Sequence, residues 1–408
     1  MSSILKLSWR NIWRNHRRTL ITIASVFFAV FFSVLTMAFS NGSWGRMIEN
    51  MLRTQTGHIQ VHLKGYWEDK ITDNFMEMDA ETIRRLTEIE HVINVSPRIE
   101  TFAMASSDYN TGKGVGVVGI DPGKEDEKSS LSKRLTEGRY LTSADRGVLI
   151  GKALAAYLRV NVGDSLALIG QGYHGAGAIG LYPIRGIVSL ATPEMERGTL
   201  YMSMPAAQEF IDMPNGYSGI LIAIDDGKAL EETMRKVSET VDASVYEVLS
   251  WKTTMEDLLK QAESDKAFSV IILSVLYLIV GFGILGTVIM MTTERRREFG
   301  MMVALGMRKA RLARSVALEL FLITCIGLTA GLGVSLPIAL YFHHHPIPLA
   351  GELAAAMSTY GMEPVVPMEA HPALFAGQAL TVFLLTALTI FYPVRAILKL
   401  DVNKALRA

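Results

Sequence analysis

Cysteine is almost missing from this chain: Cys325 is the only one in 408 residues, so no intrachain disulfide forms and each domain must be held by its own core. Lys, Arg, Asp and Glu are absent from four segments, 19–40, 267–291, 320–342 and 373–394. Lys and Arg are also missing from 343–372, which carries three Glu. No G-x-x-x-x-G-K-[ST] occurs, since Gly123-Lys124 is followed by Glu125 and lacks the leading glycine. Without that phosphate-cradling loop these residues do not hydrolyse nucleotide themselves. H-E-x-x-H is missing, and no span carries a pair of carboxylates, which argues against zinc-dependent and intramembrane proteolysis.

What is present is a membrane pattern. A hydrocarbon core of about 30 Å takes roughly 20 helical residues to cross, and each uncharged segment is that long. Four crossings return both termini to one side. Residues 1–18 hold five basic groups (Lys6, Arg10, Arg14, Arg17, Arg18) and no acid; 292–314 hold seven basic against two acidic, and 395–408 four against one. The domain 41–266 counts 24 basic to 33 acidic, so the formal net charge of +0 conceals +13 on one side and −12 on the other, with Glu319 the one remaining acid. By the positive-inside rule the three basic segments are expected to be cytoplasmic, and 41–266 with the loop 343–372 extracytoplasmic. A signal-peptide core is about 7–15 residues, so the longer first segment is read as a retained span despite the small residues Ala38 and Ser40.

The fold class expected is an α+β membrane protein: four transmembrane helices (19–40, 267–291, 315–342, 373–394) with a large two-lobed α+β extracytoplasmic domain between helices 1 and 2. The second lobe is placed at 121–225. Ahead of the first span, Leu5, Trp9, Ile12 and Trp13 follow helical spacing while Lys6, Arg10, Arg14 and Arg17 take another face, the pattern of an interfacial helix over anionic lipid. Phe27, Phe28, Phe31 and Phe32 put aromatic bulk on the first span, which either faces lipid or lines an apolar cleft. Gly281, Gly283 and Gly286 in the second span, and Gly327, Gly331 and Gly333 in the third, allow close helix approach. In the domain, strands are expected at 57–63, 115–120, 147–151, 165–169 and 219–224, and helices at 79–89, 152–158 and 230–240. A helix from about Thr253 through Asp265 is expected to run directly into the second span.

Several tempting motifs dissolve in context. Gly114–Gly119 and Gly281–Gly286 both fit G-x-G-x-x-G, but the first lies within a strand and the second within a span, so neither meets a pyrophosphate at a helix N-terminus. His343, His344 and His345 are consecutive, so their side chains diverge, and a solvated loop is expected rather than a metal site. Glu319 sits near the inner end of the third span, where pairing with an arginine such as Arg314 and a functional role are equally open.

Between the second and third spans runs ERRREFGMMVALGMRKARL, residues 294–312. Phe299, Met302, Val303 and Gly306 share one side of a short helix that Gly306 can end, and an apolar face exposed there needs a partner. This run resembles the coupling segment of FtsX-like permeases, the membrane subunits of ABC transporters of the MacB and lipoprotein-releasing LolC/LolE type. LSWRNIWRNHRRTL (7–20), GVLIGKALAAYLRVNVGDSLAL (147–168) and YPVRAILKLDVNKAL (392–406) agree in the same order along the chain.

The resemblance implies a multi-pass protein of the bacterial inner membrane working by mechanotransmission. Partners implied are a cytoplasmic ABC ATPase subunit that binds the ATP and Mg, a second permease copy or paralogue forming a dimer, membrane lipids, and a periplasmic carrier or adaptor; no cofactor is expected in this chain and no nucleic acid. Carried over, Glu294, Arg297, Glu298, Phe299, Gly300, Leu305 and Gly306 contact the ATPase, with Met302 on the same helix. Phe27, Phe28, Phe31 and Phe32 are the candidates to face an apolar cargo. The cargo implied is a lipoprotein or other amphiphile taken from the outer leaflet. MacB-like efflux of peptides or drugs, and FtsX-like control of an extracytoplasmic hydrolase, are the alternatives. A MacB-type fused ATPase does not precede the first span, so the ATPase is expected on another chain. The glycine-rich stretch 170–180 falls where lipoprotein-releasing relatives place a chaperone-contacting hook, but its sequence does not match and a plain loop is equally expected.

Overall fold

The computed structural model describes residues 3–14, 16–109, 112–190, 192–354, 365–402 and 405. They form two compact units, one of 1–45, 261–348 and 365–408, the other of 46–260 and 349–364.

The first unit is helical. It holds α1 (Ser3–Arg14), the greater part of α2 (His16–Met51) and of α3 (Glu256–Glu294), and α4 (Arg296–Ala304), α5 (Lys309–His344) and α6 (Pro372–Leu398). Of these, α2, α3, α5 and α6 are long and apolar enough to cross a membrane, which with their uncharged centres makes this a membrane protein. α2 outlasts its apolar run and closes in a π-helical turn, Leu52–Thr56. α3 joins the polar stretch to the second span in one helix, as its lack of Pro and Gly before the span suggested, but begins only at Glu256 after a break at Met255.

Glycine governs how closely these helices pack. A Cβ added at Gly327 would lie 2.7 Å from Val26 Cβ, and one at Gly331 would lie 2.9 Å from Val30 Cβ, so α5 meets α2 across bare backbone. In α3 only Gly281 has such a neighbour, Leu385 of α6, whereas Gly283 and Gly286 face open space. His343 and His344 lie in the last turn of α5 rather than in a loop, and His343 Nδ1 is 2.9 Å from the Met368 carbonyl oxygen.

The second unit is built on a ten-stranded sheet. In chain order the strands are β1 (Ile59–Leu63), β2 (Val92–Ser106), β3 (Lys113–Ile120), β4 (Leu135–Gly138), β5 (Val148–Gly151), β6 (Ser165–Gln171), β7 (Gly177–Val188), β8 (Thr199–Ser203), β9 (Gly219–Ile224) and β10 (Tyr246–Ser250). Their spatial order is β10-β1-β9-β2-β3-β8-β5-β7-β4, with β6 pairing to β2 and β7. β2 serves two cores. Its start packs with Ile59, Val61, Ile220, Ile222, Leu230 and Val237, and its end with Val117, Ile150, Leu154, Leu166 and Phe210. Helices Ala80–Thr87, Lys152–Leu158, Met204–Phe210 and Leu230–Thr240 cover the faces, the first opened by Asp79, whose carboxylate accepts from Thr82 N.

One expectation changes. The stretch 170–180 is not a plain loop: β6 and β7 pair in continuous register from Ser165↔Pro183 to Gln171↔Gly177, making an ordered β-hairpin. Its glycines suit the close strand approach, since a Cβ at Gly170 would lie 2.8 Å from the Phe102 carbonyl oxygen. Gly119, the last glycine of the first G-x-G-x-x-G match, is a packing residue, because a Cβ there would fall 2.4 Å from that of Ala207.

Candidate functional site

The segment joining α3 to α5 makes a corner and a short helix. α3 ends at Glu294, Arg295 adopts φ −86° and ψ 5°, and α4 follows at Arg296. Gly306 takes φ +95°, the left-handed conformation that favours glycine, and lets Met307 N donate to the Met302 carbonyl at 3.0 Å. The Gly306 stop anticipated from the sequence is therefore present.

The apolar face points the other way from that expected. Phe299 is 2% exposed and Gly300 is buried, while Met302 and Val303 are partly buried against the core of the helical unit that holds Ile284, Val288 and Val316. Of that face only Gly306 is exposed. The physical reason is the corner at Arg295, which turns the helix so that its largest side chain falls over α3 and α5. Among its exposed residues Arg297, Met301 and Leu305 are spaced four apart on one stripe, with Leu305 88% exposed. Glu294 and Gly306 are exposed as well, and Glu298 is half-buried. Met301 escaped the sequence reading. Helical phase from the exposed Arg297 and Leu305 would have found it.

Ion pairs fasten the corner. Arg295 Nη1 lies 3.0 Å from both oxygens of Glu319 on α5, and its guanidinium carbon is 5.3 Å from the Phe299 ring centre. Arg14 at the end of α1 pairs with Glu298, and Arg18 at the start of α2 pairs with Glu294. Lys309 Nζ donates to the Leu400 carbonyl at 2.6 Å, tying the first turn of α5 to the end of α6. Glu319 thus takes Arg295 rather than Arg314 as its partner. The reason is registry: Arg295 arrives from the corner of α3, a neighbour in space that lies 24 residues away in sequence.

The phenylalanines of α2 form two stacked pairs, Phe27 with Phe31 at 5.7 Å between ring centres and Phe28 with Phe32 at 5.9 Å. Phe28 and Phe32 are each 49% exposed, on the side of α2 away from the Val26 and Val30 contacts with α5. Helix spacing brings these rings together and leaves them on the surface of the helical unit.

Residues 19–240 match the model of the MacB-like periplasmic core domain, and residues 270–402 match that of the FtsX-like permease C-terminal domain. The chain is 24% identical over 249 residues to the lipoprotein-releasing system transmembrane protein LolC of Xylella fastidiosa, covering 59% of each. It is 22% identical over 340 residues to the macrolide export ATP-binding/permease protein MacB 2 of Aeromonas hydrophila, covering 80% of this chain and 51% of that one. With the pyoverdine export ATP-binding/permease protein PvdT of Pseudomonas fluorescens it shares 22% over 372 residues, covering 87% and 54%. The alignments thus span 59% of the LolC relative's length and about half of the two export relatives'. Among solved structures, the periplasmic region of MacB from Actinobacillus actinomycetemcomitans superposes with a TM-score of 0.37 at 14% identity, covering 52% of this chain and 97% of that one. The two family models account for most of the chain, domain and spans together, and the protein belongs to the FtsX-like permeases that carry a MacB-like periplasmic core domain.

Proposed function

We propose that the chain is the membrane subunit of an ATP-driven ABC transporter, with its basic segments and both termini in the cytoplasm and its large domain on the far side of a bacterial inner membrane. The ATP and Mg are bound by a separate ATPase chain, and two permease copies or paralogues make the working dimer. The observation that carries this reading is the stripe Arg297, Met301 and Leu305 on α4, an exposed apolar and cationic surface on a short helix held between two spans. A helix fastened at its corner and open on one stripe can receive a push from a docked protein and pass it to α3 and α5. Glu294, Arg297, Leu305 and Gly306 meet the ATPase directly in this reading. Phe299, Gly300 and Met302 act from beneath by holding the helix in place.

The cargo proposed is a lipoprotein or other amphiphile drawn from the outer leaflet. The half-exposed Phe28 and Phe32 on α2 offer a surface suited to an acyl chain, and the LolC relative's name points the same way. Efflux of a small molecule is the second reading, favoured by the greater share of this chain that the export relatives cover. Purification of the tagged full chain from its native membrane tests the proposal. Recovery of a nucleotide-hydrolysing subunit is expected, and co-recovered lipidated protein or a small molecule decides between the two cargoes. A chain that brings down an extracytoplasmic hydrolase and no cargo is a regulator instead.

A further inference from the structure

Arg295, the corner residue between α3 and α4, has its charge buried against a carboxylate from a third helix. Glu319 is 1% exposed, and both of its carboxylate oxygens lie 3.0 Å from Arg295 Nη1. α1 reaches α4 through the pair Arg14–Glu298, and Glu298 Oε2 in turn lies 3.6 Å from Arg295 Nε. Arg14 of α1, Glu298 of α4, Arg295 at the corner and Glu319 of α5 therefore form one continuous chain of four charges. α1 is seated on α5 independently, where Ser8 Oγ donates to the Ser315 carbonyl at 3.0 Å. Its other side leaves Trp9 48% and Trp13 55% exposed, as an interfacial helix requires.

Apolar residues of matching volume usually fill such a place with equal or better stability, because two buried charges lose their hydration. The best-attested use of a buried pair is to select one arrangement among several that pack equally well. Here the arrangement selected is the direction in which α4 leaves α3.

We propose that Glu319 is a positioning residue for coupling: by holding Arg295, which meets Arg14 of α1 through Glu298, it sets the angle of α4 and makes the amphipathic helix α1 a working part of the surface that meets the ATPase. The proposal rests on the ATP-driven reading above. It adds that α1 is more than a basic flank fixing topology, and that the ion pair acts on coupling and not only on folding.

The test uses the full chain with its co-purified ATPase in lipid nanodiscs. Permease-stimulated ATP turnover, recovery of the complex and thermal midpoint are measured for wild type, Arg14→Ala, Glu319→Gln and the double variant Arg295→Met/Glu319→Leu. The double variant is expected to keep its assembly and midpoint while stimulated turnover falls about tenfold. Arg14→Ala, at a half-exposed side chain, is expected to lower turnover about threefold with assembly and midpoint unchanged, whereas Glu319→Gln strands the buried Arg295 charge and is expected to lower midpoint and turnover together. Wild-type turnover in a folded double variant overturns the positioning role, and so does a loss that follows the thermal midpoint across all three variants. Failure of the wild-type chain to recover any ATPase sinks the permease reading itself, a result that separates the two.

Discussion

Arg98 on β2 and Glu125 form an ion pair of 2.6 Å with each side chain only 3% exposed. The same guanidinium donates to the carbonyls of Gln55 at 2.7 Å and Thr54 at 3.4 Å, in the π-helical turn that follows α2. One buried cation thus joins the sheet, the helix Pro122–Ser129 and the end of the first long helix. A second cation, Lys128, lies 3.6 Å from the same carboxylate.

Removing one partner of this pair strands the other. Arg98→Met is expected to destabilise the domain by about 3–5 kcal/mol, and the triple variant Arg98→Met/Glu125→Leu/Lys128→Met by much less because no lone charge remains buried. Chemical denaturation of the detergent-solubilised chain measures both, and equal losses in the single and triple variants refute the account.

Lys128 makes stability depend on alkaline pH. Burial, with the Arg98 charge adding to it against the pull of Glu125, brings its ammonium down to about 8 from 10.5. Between those values the unfolded chain binds more protons than the folded one, so stability rises as pH increases from about 8 toward 10.5. The gain is of order 3 kcal/mol at most. Thermal midpoints across that range should climb in wild type relative to Lys128→Met, and parallel curves would count against it. Glu125 behaves oppositely: burial raises its carboxyl, the Arg98 and Lys128 charges overcome that, and the net value is lowered. Its contribution is present above the ordinary glutamate range and is lost as acid carries the pH through the lowered value.

Close approach of α5 to α2 depends on two missing side chains. Gly327→Val or Gly331→Val places atoms where Val26 and Val30 already stand and is expected to cost about 1–3 kcal/mol. Gly333→Ala, which meets nothing within 4 Å, serves as the neutral control. Resistance to heating in detergent ranks the three variants.

Leu305 and Phe299 separate surface from core on one helix. Leu305→Asp is expected to leave the fold intact and abolish permease-stimulated ATP turnover, since the side chain is 88% exposed. Phe299→Ala is expected to lose about 3–5 kcal/mol of stability through the cavity it leaves. Gly306→Pro should also stop stimulation, because proline cannot adopt φ +95°. Normal turnover in Leu305→Asp removes the stripe from the docking surface.

Local chemistry made much of the domain readable. Helix Lys152–Leu158, strand Gly219–Ile224 and helix Leu230–Thr240 occupy the residues expected, because each has a single apolar face or run bounded by Gly or Asp. β2 escaped notice for a physical reason. Its end alternates buried Ala103 and Ala105 with Phe102 at 75% and Met104 at 46% exposure, so both faces are apolar and the period-two signal is flat. The hairpin at 170–180 was equally opaque, since its pairing partners are chosen by register and leave no mark in composition.

Hydropathy and spacing were enough to define how many segments can cross a bilayer, where the connection between the second and third of them lies, and that Gly306 ends its helix. Those properties depend on each residue and its near neighbours along the chain. Only the tertiary structure decided that Phe299 turns inward and Leu305 outward, that Glu319 takes Arg295, and that Arg98 reaches the turn after α2. Which face of a helix is covered, and which opposite charge lies within reach, is set by elements far away in sequence, and the apolar content of the helix is the same in either orientation.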